Sequence, residues 1–250
     1  VSITATKSAE STFLVRKYRP EDRVKIRALC ADTGFLGTPV DQVFEDRELF
    51  ADYLTKYYTD YEPESAFVLE LNGEVRGYLL GSRKYDAQAR FNAWHNGRLF
   101  FIGMWRYFFK PYKKATRQYV HWLLTRASKE ATTTPKKMAH FHINMYPEAK
   151  KVATTRALVD AYLSYLSECG EKAVFGQMVT FEGRRTERMF ERYGFKLIDK
   201  KRVTKFDEVQ SEPIFLCTVI KNLEERVHLY DKKSEDLKAS QPTAPSADLS

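Results

Sequence analysis

Two histidines spaced two apart, His140 and His142, and a lysine pair, Lys150 and Lys151, are the side chains whose type and spacing first point to chemistry. Around the histidines two kinds of residue alternate. Phe141, Ile143 and Met145 fall on one side of the chain, and His140, His142 and Asn144 on the other. That period of two predicts a strand over 139–145 with one apolar face. Histidines sharing a strand face invite a metal, but a metal site needs a third and a fourth ligand. No obvious pair lies nearby, so no metal is assigned. Pro147 cannot donate to a central ladder and ends the regular strand. From Lys150 the period lengthens: Ala157, Leu158, Ala161, Tyr162, Tyr165 and Leu166 share one helical stripe, and Gly170 suits the position just past a helix end. A strand passing through a tight loop into a helix presents unpaired N–H groups and the positive end of the helix dipole, a ready anion site. An ordinary β–α connection has the same features.

The surrounding elements must position this stretch. A strand is predicted over 12–18, then a helix opened by Pro20 with Glu21 and Asp22 in its first turn, carrying Val24, Ile26, Leu29 and Cys30 on its apolar side. A second helix is predicted over 41–58, with Phe44, Leu49, Phe50, Tyr53, Leu54 and Tyr57. Two strand-like runs, 65–71 and 74–81, flank Asn72-Gly73, a strong signal for a type I′ hairpin. After the central strand and helix come a strand over 172–180, a helix over 184–193 and strands over 195–205 and 213–221.

Charge singles out one block. Residues 85–137 hold 11 Lys and Arg against 2 Asp and Glu, whereas the whole chain is only +8. Two amphipathic helices are predicted there. Phe101, Met104, Trp105 and Phe108 form one inward stripe ended by Pro111, and Tyr119, Val120, Leu123, Leu124 and Ala127 form the other. Basic outer faces would carry Arg98, Arg106, Lys110, Lys113, Lys114 and Arg117. Such a block could be a lid or platform for an anionic substrate or partner, or a solvated basic face over a small satellite core.

The run from Pro147 to Leu158, PEAKKVATTRAL, resembles without a gap the acetyl-CoA loop of the GNAT superfamily of N-acetyltransferases, which typically reads P-E-x-R/Q-x-x-G-x-G/A-R-A-L. Lys150 takes the Arg/Gln position, Ala153 the first Gly and Thr155 the Gly/Ala. RMFERYGF, residues 188–195, resembles the family's A-x-x-L-Y-E-K-x-G-F, with Phe190 where Tyr is usual; Gly183 stands where Asn is frequent. The hairpin sequence V-x-G-Y-x-x-G and the entry R-x-Y-R-P-E-D are further, looser matches. The resemblance covers about residues 12–84 and 137–222 and implies an α/β (α+β) fold, a mixed, mainly antiparallel twisted sheet flanked by helices. It implies a domain over 12–222, interrupted by the helical basic insertion at 85–137; composition in turn predicts a flexible 1–11 and a charged, largely disordered 223–250.

The resemblance further implies an acyltransferase that moves an acetyl group from acetyl-CoA, its co-substrate, to a primary amine by direct attack on the thioester. The acceptor, not identified by the sequence, would be a small molecule or a peptide. Lys150, Lys151, Val152, Ala153, Thr154 and Thr155 would hold the pyrophosphate. Ile143, Met145 and Tyr146 would lie along the pantetheine arm and stabilise the oxyanion through backbone N–H groups. His142 or Asn144 would serve as general base, an ordinary histidine pKa of ~6.5 suiting the task. Tyr193 would replace the missing tyrosine as the acid that protonates the leaving thiolate. The two lost glycines and Phe190 favour a competing reading, an acyl-CoA-binding scaffold without turnover. Nucleic-acid binding through the basic insertion ranks third.

Composition bounds these readings. Hydrophobic residues at 43% and aromatics at 14% support a core. No apolar run reaches the ~18 residues that span a bilayer. No secretory pattern opens the chain, and three widely spaced cysteines suit a reducing cytoplasm. The aromatic insertion offers a surface for a homodimer.

Overall fold

Eight strands form one sheet in the order β1-β2-β3-β4-β5-β6-β8-β7. They are β1 (Thr6–Ser8), β2 (Ser11–Lys17), β3 (Ala66–Leu71), β4 (Glu74–Ser82), β5 (Ala139–Met145), β6 (Ala173–Phe181), β7 (Lys196–Val203) and β8 (Ile214–Asn222). Every pairing is antiparallel except that of β5 with β6. The computed structural model describes residues 6–8, 11–181, 188–191, 193–207 and 209–224. Of the terminus expected to be loose over 1–11, residues 6–8 form β1 on β2 and residue 11 begins β2, whereas 1–5 and 9–10, the start of the helix expected at 184, Gly183 and the tail from 225 lie outside the described residues.

Local chemistry accounts for most of these elements. The β3–β4 hairpin turns through Asn72 and Gly73, with φ of 54° and 82°. Both are left-handed, as a type I′ turn requires. Helix α1 (Arg23–Asp32) follows a 3-10 turn begun by Pro20. Helix α6 (Val152–Glu168) ends before Gly170, whose φ of 79° closes it.

Alternation along the strands sorts the core into two layers. Leu69, Leu79, Phe141 and Met145 face α6, where Leu158, Tyr162 and Leu166 complete the cluster. Val68, Tyr78 and Leu80 face the other way, against Ile26, Leu29 and Cys30 of α1. The α6 layer needs the close approach allowed at Gly81, where an added Cβ would sit 2.2 Å from the Tyr162 hydroxyl.

Two expectations are corrected. The second helix, α2 (Arg47–Asp60), begins six residues later than residue 41. Residues 40–42 form a separate 3-10 turn, and Asp46 accepts the Leu49 N–H at the start of α2. The insertion does form helices α3 (Tyr85–Phe109) and α4 (Lys114–Thr125), with a single turn α5 (Ala127–Glu130). However, α3 is rotated relative to the predicted face. Gln88 and His95 are buried, while Phe101, Trp105 and Phe108 are exposed. The cause is a long-range pairing. The buried Asp46 carboxylate receives two 2.8 Å bonds from the Arg106 guanidinium and one of 2.7 Å from the Tyr112 hydroxyl. An unpaired buried carboxylate is costly, so Arg106 turns inward and the aromatic stripe turns outward. Arg106 therefore leaves the expected basic outer face, while Arg98, Lys110, Lys113, Lys114 and Arg117 remain exposed. Of the helix expected at 184–193, the described residues form the short helix α7 (Arg188–Glu191), and Tyr193 lies in the turn after it.

Candidate active site

Strands β5 and β6 pair over only three positions, Ala139 with Val174, His140 with Phe175 and Phe141 with Gly176. Beyond that point β5 stays on β4 as far as Met145, and β6 stays on β8 as far as Phe181. The sheet is thus split down the middle. The Tyr146 N–H donates to Arg76 O (2.9 Å), so Tyr146, Asn144, His142 and His140 direct their backbone groups at β4. By alternation, Ile143 and Met145 direct theirs into the split, where the β5–β6 ladder has ended.

At the end of β5 the chain makes a 3-10 turn, Pro147–Ala149, and enters α6. The first α-helical bond runs from Thr155 N–H to Lys151 O (2.9 Å), leaving the N–H groups of Val152–Thr154 ahead of the ladder, at the dipole's positive end. Lys150, Lys151, Val152 and Ala153 are exposed there. Thr154 is different. Its buried hydroxyl donates to Ala149 O (2.5 Å) and accepts from Lys151 N–H (3.2 Å), so the side chain holds the turn closed from inside. The Thr155 hydroxyl points back at the Met145 sulfur (3.8 Å), which keeps its branched side chain under the loop.

The predicted catalytic side chains fall on two faces of the sheet. His142 and Asn144 lie on the face of the sheet that α1 and α2 cover. Asn144 donates to the Tyr78 hydroxyl at 3.0 Å. His142 stacks edge-on against Tyr58 and Tyr78, with centroids 5.0 and 5.7 Å away. Its Nε2 is shut off from solvent without a hydrogen-bond partner. Burial, aided by neighbouring His140, pushes His142 down to about 3. Burial lowers His140 to about 4, against a small opposing pull from Glu62. Both imidazoles are therefore neutral near pH 7, and His142 is a far weaker base than an ordinary histidine. Tyr193 lies on the other face, packed in the α6 cluster with Ile143, and the Arg156 guanidinium stands 5.9 Å from its ring. Phe190 is 2% exposed in the same core.

Three supporting residues escaped the sequence reading. The Tyr58 hydroxyl and the Gln88 amide nitrogen each stand 3.0 Å from His140 Nε2, and Gln88 donates to Tyr58 at 3.0 Å. Beneath them Glu62, fully buried, accepts from the hydroxyls of Tyr57 (3.0 Å), Ser65 (2.7 Å) and Ser82 (2.7 Å) and from Arg83 N–H (2.8 Å). Four donors satisfy one buried carboxylate and fix the end of α2 to β4. These partners come from segments up to 82 residues apart, and no local spacing announces them.

No protein-family model matches the sequence, and no curated protein matches it. Solved structures do. One is SsHAT, 24% identical over 84% of this chain and 98% of that one, with a TM-score of 0.56. Others are the polyamine N-acetyltransferase of Drosophila melanogaster, 12% identical over 84% and 99% (TM-score 0.49), and an N-acetyltransferase from Staphylococcus aureus Mu50, 14% identical over 84% and 98% (TM-score 0.48). A mixed sheet parted between its two parallel strands, with a helix N-terminus at the mouth of the gap, gives this chain the fold of the GNAT N-acetyltransferases.

Proposed function

We propose that the chain transfers an acetyl group from acetyl-CoA to a primary amine. The observation that carries this reading is the split between β5 and β6. It exposes a strand edge, the backbone of Ile143 and Met145, to which an extended pantetheine arm can pair. A few residues on, the exposed turn at Lys150–Ala153 offers N–H groups and two ammonium groups to a pyrophosphate. In the reaction the amine nitrogen attacks the thioester carbonyl carbon. The C–N bond forms, the C–S bond breaks, and the thiolate takes up the proton that the nitrogen gives up. An N–H directed into the split, from Ile143 or Met145, would meet the developing oxyanion.

The two-faced arrangement gives each side chain a part. The amine approaches from the face of His142 and Asn144, and sulfur departs toward Tyr193. His142 is neutral, and its unpartnered Nε2, shut off from solvent until the acceptor displaces what covers it, orients the amine by accepting its N–H rather than storing its proton. The amine must then arrive unprotonated.

Isothermal titration of the full chain with acetyl-CoA, beside Thr155→Trp, tests the reading. Saturable binding that the bulky substitution removes supports it, and a thiol-release assay over a panel of amines then identifies the acceptor class. No binding at millimolar acetyl-CoA overturns it. The burial of Phe190 and the depressed His142 favour a second reading, a scaffold that binds acyl-CoA without turnover. Tight binding with no thiol release from any amine would select it.

A further inference from the structure

We propose that the outer face of α3 lies on an anionic lipid bilayer surface. Its exposed residues form one stripe. Trp94, Phe101, Trp105, Phe108 and Phe109 are 63%, 73%, 63%, 71% and 71% exposed. At 100° per residue all five fall within about 100° of one another around the helix axis. The inward face of the same helix is fixed by Arg106 on Asp46 and by the burial of Gln88 and His95, so the stripe cannot rotate into the core. Five large aromatic side chains on one face of a single helix exceed the scattered exposure usual on a water-facing surface.

Charge selects the occupant. Arg90 and Arg98 lie within the stripe, and Lys114 and Arg117 follow at its C-terminal end beside Lys110 and Lys113, which stand 3.7 and 3.4 Å from Asp46 and Glu45, in the block holding 11 cations against 2 anions. An isologous dimer through this stripe would bring two such blocks together about the symmetry axis, where like charges repel. Anionic headgroups neutralise them instead, while Trp and Phe settle at the level where headgroups meet acyl chains. A single convex helix also lacks the groove with which single-stranded nucleic acid is tracked. Among the described residues no helix is long and apolar enough to cross a membrane, so α3 would lie along the surface.

The test uses the full chain and large unilamellar vesicles, either pure phosphatidylcholine or with roughly a third phosphatidylserine. Trp94 and Trp105 are two of the three tryptophans, so their fluorescence reports insertion directly. The proposal expects co-sedimentation with the anionic vesicles at least tenfold above the neutral ones. It also expects a blue shift, quenching by lipids brominated near the headgroup, and weakening as salt rises. The triple variant Phe101→Ser/Trp105→Ser/Phe108→Ser should lose at least tenfold in partitioning with a nearly unchanged thermal melt, because these side chains are largely exposed and meet rings of their own helix, Phe100, Phe109 and Tyr107. Three results would overturn the proposal: no vesicle binding at low salt; equal partitioning of the triple variant and the parent; or, without lipid binding, either a concentration-dependent dimer that the triple variant abolishes or aromatic-dependent binding of a single-stranded oligonucleotide.

Discussion

His140 and His142 tie stability to pH. Both have folded pKa values below the ordinary 6.5, so the unfolded chain takes up protons first as the solution is acidified. Their contribution is fully present above about pH 6.5 and is lost as pH falls toward 4 and then 3. The slope is at most about 1.4 kcal/mol per pH unit for each histidine. Urea melts at pH 7.5 and pH 5 should show this loss, and His142→Asn should reduce the difference between them. The same neutrality predicts that kcat/KM, once an acceptor is known, climbs with the acceptor amine's own ionisation and shows no inflection from His142 near pH 6.5. On the opposite face, restoring a tyrosine at 190 should not restore an acid. Phe190 is buried among apolar neighbours, so Phe190→Tyr leaves a hydroxyl without a partner. It should cost about 1–3 kcal/mol in a denaturant melt without raising turnover. Tyr193→Phe should lower kcat by about a hundredfold if Tyr193 protonates the thiolate.

Elements show where sequence was sufficient and where it was not. The Asn72-Gly73 hairpin, the alternation of β5 and the stripe and closing glycine of α6 are local patterns, and each was legible because near neighbours decide it. The facing of α3 was not. Its apolar residues do fall on one stripe, and a stripe ordinarily turns inward, but the partner that decides the rotation, Asp46, lies 60 residues away in sequence from Arg106. The start of α2 was missed although its cap is local, because Asp46 accepts the Leu49 N–H while Val40–Gln42 turns separately ahead of it. The candidate site was legible as a strand, a loop and a helix. The Tyr58–Gln88 clamp on His140 was not, since three separate segments meet there. Two substitutions probe these joints. Asp46→Ala leaves Arg106 and Tyr112 without their acceptor and should cost about 3 kcal/mol, in the range for breaking a buried pair, with lost helical ellipticity from α3. Gly81→Ala drives a methyl into the Tyr162 ring, whose hydroxyl is held by His140 O at 2.9 Å. It should cost about 3 kcal/mol, at the upper end for overpacking, in the same melt.

At the scale of the whole molecule, charge and sheet are both divided. The cations gather on the insertion, while residues 1–84 hold 12 Lys and Arg against 14 Asp and Glu. On the proposed membrane reading, this division would orient the protein toward an anionic surface before contact. The sheet divides at the same three pairs that open the cleft. β6 shares nine pairs with β8 but three with β5, so β6, β8 and β7 form one ladder and β1 to β5 another. Two ladders joined by a short seam are candidates for separate cooperative opening units in amide hydrogen exchange. A pantetheine arm lying between them would act as a strand supplied from outside. On addition of acetyl-CoA, exchange at the Ile143 and Met145 amides should slow sharply. The Tyr146 amide, already bonded to Arg76, should barely change, and the two ladders should begin to open as one.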